Sequence, residues 1–416
     1  MRGAGRLAAA AAALGFATAA FAAPLDDDLA PLRSTGTEGF PLVETPRRFE
    51  FPRDHGPHPE FRQEWWYLTG NLTGAAGERF GFELTFFRFA LSPGSEAPSG
   101  VTLGSGAKYD SRWRTKQVYT AHFAITDVAT GQFRFAQKYA RHALGLAGAE
   151  AAPFNVWLDD WRVGEAGASN STVGAGGGST LAVGGGSTVM ARGGSTVAAR
   201  GDGASAPWRL YAHQQGYELE LDVEPVSAPM LNGDQGLSVK SGEPGAASYY
   251  YSIPRLTVRG RLVRDGSPVA VSGTAWLDRE WGSGSLGPNE AGWDWFALQL
   301  QDGSAVMFYA LRNRDGTRES HSAGTWIDSK GNTRVLTSQE VRIDVGAHWT
   351  SPRGTRYPSR WHLQIPTLAL DVDVTPVMAN QELGTRPRYW EGAVDVVGSH
   401  EGQATSGRGY VELVGY

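Results

Sequence analysis

The sequence predicts an all-β protein made of two antiparallel β-barrels in tandem. Apolar and polar residues alternate with a period of two, for example over residues 79–91, 116–127 and 208–223, and Gly or Asp turns separate these runs. No run carries the apolar stripe of an amphipathic helix. Aromatic residues make up 11% of the chain, which also favours sheets, because pleated strands accommodate rings well. The 416 residues suffice for two barrels, since an all-β domain commonly takes about 200 residues.

The composition excludes several classes of function. A net charge of -5 gives no basic surface of the kind that binds nucleic acid. The chain has no cysteine, which rules out disulfides, thiolate metal sites and a cysteine nucleophile. The motifs of serine hydrolases, P-loop proteins, zinc proteases and dinucleotide-binding folds are missing, and the nine histidines are scattered. We therefore predict neither a metal nor a cofactor.

The N-terminus is typical of an export signal. An apolar, alanine-rich run over residues 7–20 follows two arginines, and Ala20-Phe21-Ala22 offers a cleavage site of small residues. The run is shorter than the roughly 20 residues that a membrane span needs. We predict a signal peptide over residues 1–22 and a soluble protein of the periplasm or the exterior. Residues 23–60 are rich in proline and form an extended lead-in.

Residues 61–250 are predicted to form the first barrel and residues 251–416 the second. An eight-residue tandem repeat of small side chains interrupts the first barrel at residues 165–206. Because the repeat has too few large apolar residues to offset its ordering entropy, we predict a flexible insertion in a hairpin loop. About nine strand-like runs after residue 254 have the spacing of an antiparallel barrel or sandwich.

Two segments dense in tryptophan also contain acidic residues and are the best lead to a function. They are residues 64–70, Glu-Trp-Trp-Tyr-Leu-Thr-Gly, and residues 275–282, Ala-Trp-Leu-Asp-Arg-Glu-Trp-Gly. Their similar make-up suggests two related β units. A carboxyl group packed against rings is either neutralised by a partner or has a raised pKa, and a raised pKa suits an acid that must donate a proton.

Asp278 and Glu280 lie two residues apart, so on a strand they share a face, where like charges raise the pKa of one of them. A turn at Gly282 would instead make them ordinary charges at a rim. Asp294 stands between two tryptophans and faces away from both in a strand, which favours a structural pair with an arginine.

Two further residues have alternative interpretations. Glu64 either points into the barrel as a functional acid or forms a salt bridge with Arg88 or Arg112. His122 could relay protons from its strand, although a core histidine bonded to a carbonyl group has the same sequence pattern.

The aromatic residues supply candidate ligand contacts. Tyr249-Tyr250-Tyr251 lies near the predicted junction of the barrels, and clefts between domains are common ligand sites. The rings could bind an apolar chain there or simply form an interdomain core. The candidate ligand-binding residues are Trp65, Trp66, Tyr67, Tyr251, Trp276, Trp281, Trp293 and Trp295.

Six ordered motifs connect the chain to a known family. They are Glu-Trp-Trp-Tyr-x-Thr-Gly at 64–70, Gln-Val-Tyr-x-Ala-His at 117–122, Tyr-Tyr-Tyr-Ser-x-Pro-Arg-Leu at 249–256, Trp-Leu-Asp-Arg-Glu-Trp-Gly at 276–282, Gly-Trp-Asp-Trp-Phe at 292–296 and Gly-Tyr-Val-Glu-Leu-x-Gly-Tyr at 409–416. Together they resemble the AttH and carotenoid 1,2-hydratase (hydroxyneurosporene synthase) family. The resemblance covers residue 45 to the end apart from the repeat, and it implies two lipocalin-like barrels.

The resemblance also implies a reaction. The hydratase branch adds water across a carbon-carbon double bond without a cofactor, and many secreted members are called predicted hydrolases. By this analogy Asp278 would protonate the alkene. Trp276 and Trp281 would stabilise the cation, and Glu280 or His122 would orient water.

Three hypotheses follow for the function. The first is a cofactor-independent hydratase or hydrolase acting on an isoprenoid or lipid, which requires a buried Asp278 or Glu280. The second is a lipocalin-type periplasmic carrier of a hydrophobic ligand, which requires an open apolar cavity. The third is an accessory subunit of an envelope ABC transporter, which would show filled barrels and an exposed apolar patch. Because a β-barrel fold is compatible with all three functions, only the residues of the site can distinguish them.

Overall fold

The structure is a computed structural model with an almost entirely β fold. It has two short 3-10 helices, Arg53–His55 and Pro366–Leu368, and no α-helix in the part of the chain that it describes. No helix in that part is long and apolar enough to cross a membrane. The predicted signal peptide, Arg112 and nearly all of the repeat insertion lie outside the described residues, which are 37–94, 115–167, 207–284, 286–385 and 387–416.

The first sheet has 13 antiparallel strands and curls into a nearly closed barrel. Its order is β4-β3-β2-β1-β13-β12-β9-β8-β7-β6-β5, and β10 and β11 both pair with β12. The strands are β1 Gln63–Gly74, β2 Arg79–Ala90, β3 Gln117–Asp127, β4 Gln132–Arg141, β5 Ala147–Ala151, β6 Phe154–Leu158, β7 Trp161–Glu165, β8 Trp208–Gln214, β9 Tyr217–Pro225, β10 Met230–Leu231, β11 Leu237–Val239, β12 Ala247–Arg264 and β13 Ser267–Gly284.

The second sheet has 10 antiparallel strands and forms a half-barrel. Its order is β17-β16-β15-β14-β23-β22-β20-β19-β18, and β21 pairs with β22. The strands are β14 Glu290–Leu300, β15 Ala305–Asn313, β16 Ala323–Ile327, β17 Thr333–Thr337, β18 Arg342–Thr350, β19 Arg356–Ile365, β20 Leu370–Pro376, β21 Glu382–Leu383, β22 Tyr389–His400 and β23 Gln403–Val414. The predicted all-β class with two curled antiparallel units is confirmed.

The division between the sheets falls after Gly284 and not after residue 250, where the sequence placed it. Strand β12 pairs with β9, and β1 pairs along its whole length with β13, so β12 and β13 both complete the first sheet. The two tryptophan-rich segments are therefore adjacent strands of one sheet: Trp65 lies opposite Glu280, and Tyr67 lies opposite Asp278. Alternation could not reveal this boundary, because a strand shows the same period in either sheet.

Alternate residues of each strand face opposite sides of its sheet, and this creates three cores. One lies inside the first sheet and includes Trp66 and Trp281, and another lies inside the second sheet and includes Trp361. The third lies between the outer faces of the two sheets and includes Trp276 and Trp295. The candidate site lies in this third core.

Candidate active site

A cavity of about 90 Å³ lies between the two sheets, within the core that they share. Rings and carboxyl groups make up most of its wall, together with one lysine. The lining residues are Trp65, Tyr67, Phe87, Lys240, Tyr250, Asp278, Glu280, Leu286, Trp293, Trp295, Tyr309, Leu311, Tyr389 and Glu412.

Strand alternation decides which of the predicted residues reach this cavity. On β13, Asp278 and Glu280 line the cavity, and Trp276 belongs to the same shared core. Trp281 has the opposite parity and lies inside the first sheet. The predicted common face of Asp278 and Glu280 is thus the one the structure places against the cavity, whereas Trp281 is on the other side of the sheet.

Asp278 is buried and accepts three hydrogen bonds. Its Oδ1 accepts from the Ser252 hydroxyl at 2.5 Å and from the Trp276 indole N–H at 2.6 Å. Its Oδ2 accepts from the Tyr250 hydroxyl at 2.5 Å. Burial raises the pKa of Asp278 to about 7, aided by the charge of Glu280 and opposed by the three hydrogen bonds. The group can therefore carry a proton near neutral pH, as a general acid requires.

Tyr250 links this carboxyl group to the opposite sheet. Its hydroxyl accepts a hydrogen bond from the Trp295 indole N–H at 3.1 Å while it donates to Asp278. Burial raises the pKa of Tyr250 well above its ordinary value, and the charges of Asp278 and Glu280 add to that effect. The phenol therefore keeps its proton and holds Asp278 in a fixed orientation.

Glu280 has different partners from Asp278. Its Oε1 accepts a hydrogen bond from the Ser248 hydroxyl at 2.5 Å and forms an ion pair with Lys240 Nζ at 3.4 Å. The ammonium group of Lys240 also lies 3.8 Å from the ring centre of Tyr309 and 5.0 Å from that of Tyr250. Two carboxyl groups on one strand face thus have contrasting environments, one paired with a cation and one not.

Glu412 is a third carboxyl group in the cavity, and sequence reasoning did not select it. Its Oε1 accepts from the Trp293 indole N–H at 2.7 Å. Burial raises the pKa of Glu412 to about 8, helped by the charges of Asp278 and Glu280 and opposed by the bond from Trp293. The sequence offered only a partial signal: in β23, Glu412 shares the strand face of Tyr410, while Val411 and Leu413 face the apolar interior. Strand parity does not show that this face meets Asp278.

Two more carboxyl groups, Glu83 and Glu391, lie buried behind the cavity wall. The Tyr67 hydroxyl donates to Glu391 at 3.2 Å, while the Thr85 hydroxyl is the group that opposes the rise in the pKa of Glu83. Burial raises the pKa of Glu83 to about 8 and that of Glu391 well above its ordinary value, and repulsion from Glu412 adds to both shifts. The interface therefore favours the uncharged forms of these groups.

Glu64 lies inside the first sheet and not at the cavity. It forms salt bridges with Arg88 and with Arg279, the latter at 2.9 Å, and it accepts from the backbone N–H of His58. Burial alone would raise the pKa of Glu64, but the two guanidinium groups and His58 hold it well below its usual range. This arrangement matches the alternative in which Glu64 forms a structural salt bridge, with Arg88 as its partner.

The remaining aromatic candidates fall into two groups, according to the strand face on which each one lies. Trp65, Tyr67, Trp293 and Trp295 line the cavity. Trp66, Tyr251 and Trp281 belong to the core inside the first sheet. The guanidinium of Arg279 lies 4.0 Å from the ring centre of Trp66, and His58 stacks on Trp281 at 3.8 Å. Glu64, Arg88, Arg279 and His58 form an ionic cluster, which we call the Glu64 cluster. The rings of Trp66, Tyr251 and Trp281 pack around it, on the far side of the sheet from Asp278.

His122 and Asp294 also lie outside the cavity lining. His122 is buried, bonds to Gln137 at 2.7 Å, and burial lowers its pKa to about 3. A histidine that stays neutral and does not line the cavity is poorly suited to accept a proton from water there. Asp294 accepts from Arg312 at 3.0 Å and from the Tyr416 hydroxyl at 2.8 Å, so the arginine pair expected for it is present.

The cavity chemistry is that of proton transfer beside aromatic rings. Across the described ranges, no group of three His, Asp or Glu side chains is placed to hold a metal ion. The available groups are a protonatable acid, Asp278, a carboxylate paired with a cation, Glu280, and a second protonatable acid, Glu412. Together they can give a proton to a bound molecule and accept one from water.

The two curled antiparallel sheets, with the acidic, ring-lined cavity between them, define a lipocalin-like β-barrel protein. The chain belongs to the AttH-like family, whose sequence profile matches residues 42–183 and 186–416. A crystal structure of a candidate AttH from Nitrosomonas europaea is similar at 32% identity and a TM-score of 0.70, covering 91% of this chain and all 100% of that one.

A more distant structure shares the fold. Kievitone hydratase from Nectria haematococca is 14% identical with a TM-score of 0.58, and the match covers 90% of this chain and 98% of that one. At this identity the likeness shows the fold alone. No curated protein matches the chain by sequence.

Proposed function

We propose that the protein is a cofactor-independent hydratase that adds water across a carbon-carbon double bond of a hydrophobic isoprenoid or lipid substrate. The observation that carries the proposal is the placement of Asp278, a buried acid whose pKa is raised to about 7, beside Glu280 in a ring-lined cavity. Such a pair supplies one proton and accepts another, and hydration needs both steps.

In the first step Asp278 protonates the alkene. The O–H bond of the acid breaks, and the two π electrons form a C–H bond with its proton, leaving the other carbon cationic. The rings that line the cavity, Trp65, Trp293 and Tyr309 among them, present electron-rich faces that stabilise such a cation. Burial excludes bulk water and strengthens this attraction.

In the second step water adds to the cation. Its oxygen forms a C–O bond with the cationic carbon, and Glu280 accepts the released proton. Lys240, 3.4 Å from Glu280 Oε1, offsets the negative charge that Glu280 carries before the step. Transfer of that proton back to Asp278, on the same strand face, restores both groups without an oxidant or reductant.

The experiment that tests the proposal is organic extraction and mass spectrometry of the compounds that co-purify from native cells. Wild-type protein should hold a compound one water heavier than the compound that Asp278→Asn holds, because the variant binds substrate but lacks the acid. Asp294→Asn is the matched control, since Asp294 is also a buried aspartate but faces away from the cavity. It should resemble the wild type.

A lipid carrier is the second candidate, and the predominantly aromatic lining of the cavity favours it. In that case the binding site would be this cavity, because side chains fill the interior of the first sheet. The same extraction separates the two functions. An identical lipid in wild-type protein and in Asp278→Asn would contradict hydration and support the carrier.

We also propose that the protein is exported and acts in the periplasm. The support is the apolar run over residues 7–20 followed by Ala20-Phe21-Ala22. Intact mass measurement of the protein from the periplasmic fraction should give a chain that begins at Ala23. A full-length chain retained in the cytoplasm would contradict the proposal.

A further inference from the structure

A second open space lies between the sheets, further along the same strands. It holds about 310 Å³ and is lined by Arg255, Arg408, Thr274, Gln299, Gln301 and Ser406, among others. On β13, Thr274 lies four residues from Asp278, which corresponds to about 13 Å along a strand. We call this space the arginine groove, and it does not share a lining residue with the acidic cavity.

The two guanidinium groups of the groove lack carboxylate partners. Arg255 Nη2 donates to the Leu300 carbonyl at 3.3 Å, and Arg408 Nη1 donates to the Thr73 hydroxyl at 3.2 Å. Neither arginine forms a salt bridge with any carboxylate that the structure describes. Asp395, which lies opposite Arg408 on β22, pairs instead with Arg79 of β2. Arg255 and Arg408 therefore leave most of their N–H donors available.

The other polar side chains of the groove bond to one another or to backbone carbonyls, and not to the arginines. The Thr274 hydroxyl donates to Gln299 Oε1 at 2.6 Å, and the Gln299 amide donates to the carbonyls of Pro254 and Ala275. The Ser406 hydroxyl donates to Gln301 Oε1 at 2.7 Å. No carboxylate lines the groove, so the two guanidinium groups are the charged groups of its lining. The charge of Asp302 acts on Arg255 from outside the lining.

Placing two like charges in one partly buried groove is unfavourable unless an anion lies between them. Both arginines are half-buried, and burial lowers the pKa of Arg255, although the charge of Asp302 opposes that shift. A guanidinium group presents its N–H donors in a planar fork that matches the oxygens of phosphate. The arrangement thus has the charge and donors of an oxyanion site, and it has space for such a group.

We infer that the arginine groove binds a phosphate group through Arg255 and Arg408. The phosphate is either free inorganic phosphate or the headgroup of an amphiphile. The inference is independent of the hydration proposed for the acidic cavity, because the two sites differ in charge and share no lining residue. A failure of one therefore leaves the other standing.

Calorimetric titration of the full mature chain with inorganic phosphate at low ionic strength tests the inference. We expect saturable binding to the wild type. Arg255→Gln and Arg408→Gln should each weaken binding about tenfold or more, because each removes charge-assisted hydrogen bonds, and the double variant should not bind. The matched control is Arg261→Gln, which removes an exposed arginine paired with Glu218 and Glu220 and should bind like the wild type.

A second ligand and a second readout complete the test. A monoalkyl phosphate that binds much more tightly than inorganic phosphate would identify the amphiphile, and equal affinities would identify the free ion. Bound phosphate should also raise the melting temperature of the wild type but not that of the double variant. Absence of saturable binding of both ligands to the wild type, or equal affinity in the double variant and the Arg261→Gln control, would overturn the inference.

Discussion

The protonation state of Asp278 depends on a balance between burial and three hydrogen bonds. Burial raises its pKa, and the donors Ser252, Tyr250 and Trp276 each lower it. The positions of these donors in the cavity therefore bring the pKa of Asp278 close to neutral pH.

The activity proposed for Asp278 should decrease at alkaline pH. The acid form is present below a pKa of about 7 and is lost as pH rises through that value. Above it, turnover should fall about tenfold per pH unit, which rate measurements across a pH series will show. Asp278→Asn should lose about 100-fold or more in rate. An unchanged rate up to strongly alkaline pH would contradict the role of Asp278 as the acid.

Trp276→Phe should raise the pKa of Asp278. The variant keeps a ring but removes the indole N–H that stabilises the charged carboxylate at 2.6 Å, so the protonated form gains relative stability. NMR titration of the Asp278 carboxyl carbon measures the shift, and the alkaline fall in activity should move with it. Trp281→Phe is the control, because its ring lies on the other face of the sheet. Equal shifts in both variants would contradict a specific role for the Trp276 donor.

Sequence alone predicted that Asp278 and Glu280 share a strand face, and both line the same cavity in the structure. Residues two apart on a strand lie on the same face of the sheet, so Asp278 and Glu280 had to point the same way. The same rule should have removed Trp281 from the cavity, since it has the opposite parity to Asp278. Glu412 could not be joined to this group from sequence, because the packing of one sheet on another is not a property of strand period.

At the scale of the element, strand β1 contributes side chains to a different cluster on each of its two faces. Trp65 and Tyr67 face the cavity, whereas Glu64 and Trp66 face the interior. Glu64 lies directly opposite Arg88 on β2, which explains their salt bridge. The register of β1 against β2 thus makes Arg88 the salt-bridge partner of Glu64, as one of the two expectations from sequence had it. The sequence of a single strand does not reveal this register.

Glu64→Gln should strongly destabilise the first sheet. It removes the charge that Arg88 and Arg279 share in a fully buried position, and breaking a buried ion pair costs about 3–5 kcal/mol. Urea denaturation at pH 7 measures the loss. Glu50→Gln, which removes an exposed partner of Arg53, is the control and should change stability by less than about 1 kcal/mol. A similar small loss for Glu64→Gln would show that the cluster does not stabilise the sheet.

The same cluster should make the protein sensitive to acid. The pKa of Glu64 is lowered in the fold from an ordinary value of 4.5, so its stabilisation is present above that value and is lost as pH falls below it. The free energy of unfolding, measured in urea at pH 7 and at pH 3.5, should decrease more in the wild type than in Glu64→Gln. Equal decreases would contradict the assignment.

At the scale of the whole molecule, the two sheets bury carboxyl groups against each other. Glu83, Glu391 and Glu412 repel one another across the interface, and burial raises the pKa of each. The contribution of these three groups to stability therefore depends on pH in the opposite sense to that of Glu64, whose pKa is lowered in the fold. The neutral form is favoured in the fold, so stability is present below the unfolded value near 4.5 and is lost as pH rises through about 8.

Glu83→Gln should therefore stabilise the protein at alkaline pH. The amide keeps the size of the side chain but cannot ionise, so it removes the cost of burying a charge there. Melting temperatures measured from pH 5 to pH 9 should fall less steeply in the variant than in the wild type. Glu150→Gln, at a partly exposed position on β5, should leave the wild-type slope unchanged. Parallel slopes for wild type and Glu83→Gln would contradict the prediction.

Sequence reasoning found the all-β class but misplaced the boundary between the two units. Alternation and aromatic content indicate strands, yet they do not say which strands pair. Strand β12 spans the predicted junction in the chain and β13 follows it, but both return to pair with β9 and β1. The acidic cavity arises from this return, because β13 brings Asp278 beside Tyr67 and opposite Glu412 of the second sheet.

The pairing of β1 with β13 also has a consequence for how the chain folds. Gln63 pairs with Gly282, so the barrel cannot close until most of the chain has been synthesised. Contacts between residues so distant in sequence carry a large loop-closure entropy, and proteins dominated by them fold slowly. Until residue 282 is available, β1 has a neighbour on one edge only. The nascent chain therefore exposes an unpaired, tryptophan-rich strand edge for most of its synthesis, and such an edge is prone to aggregation.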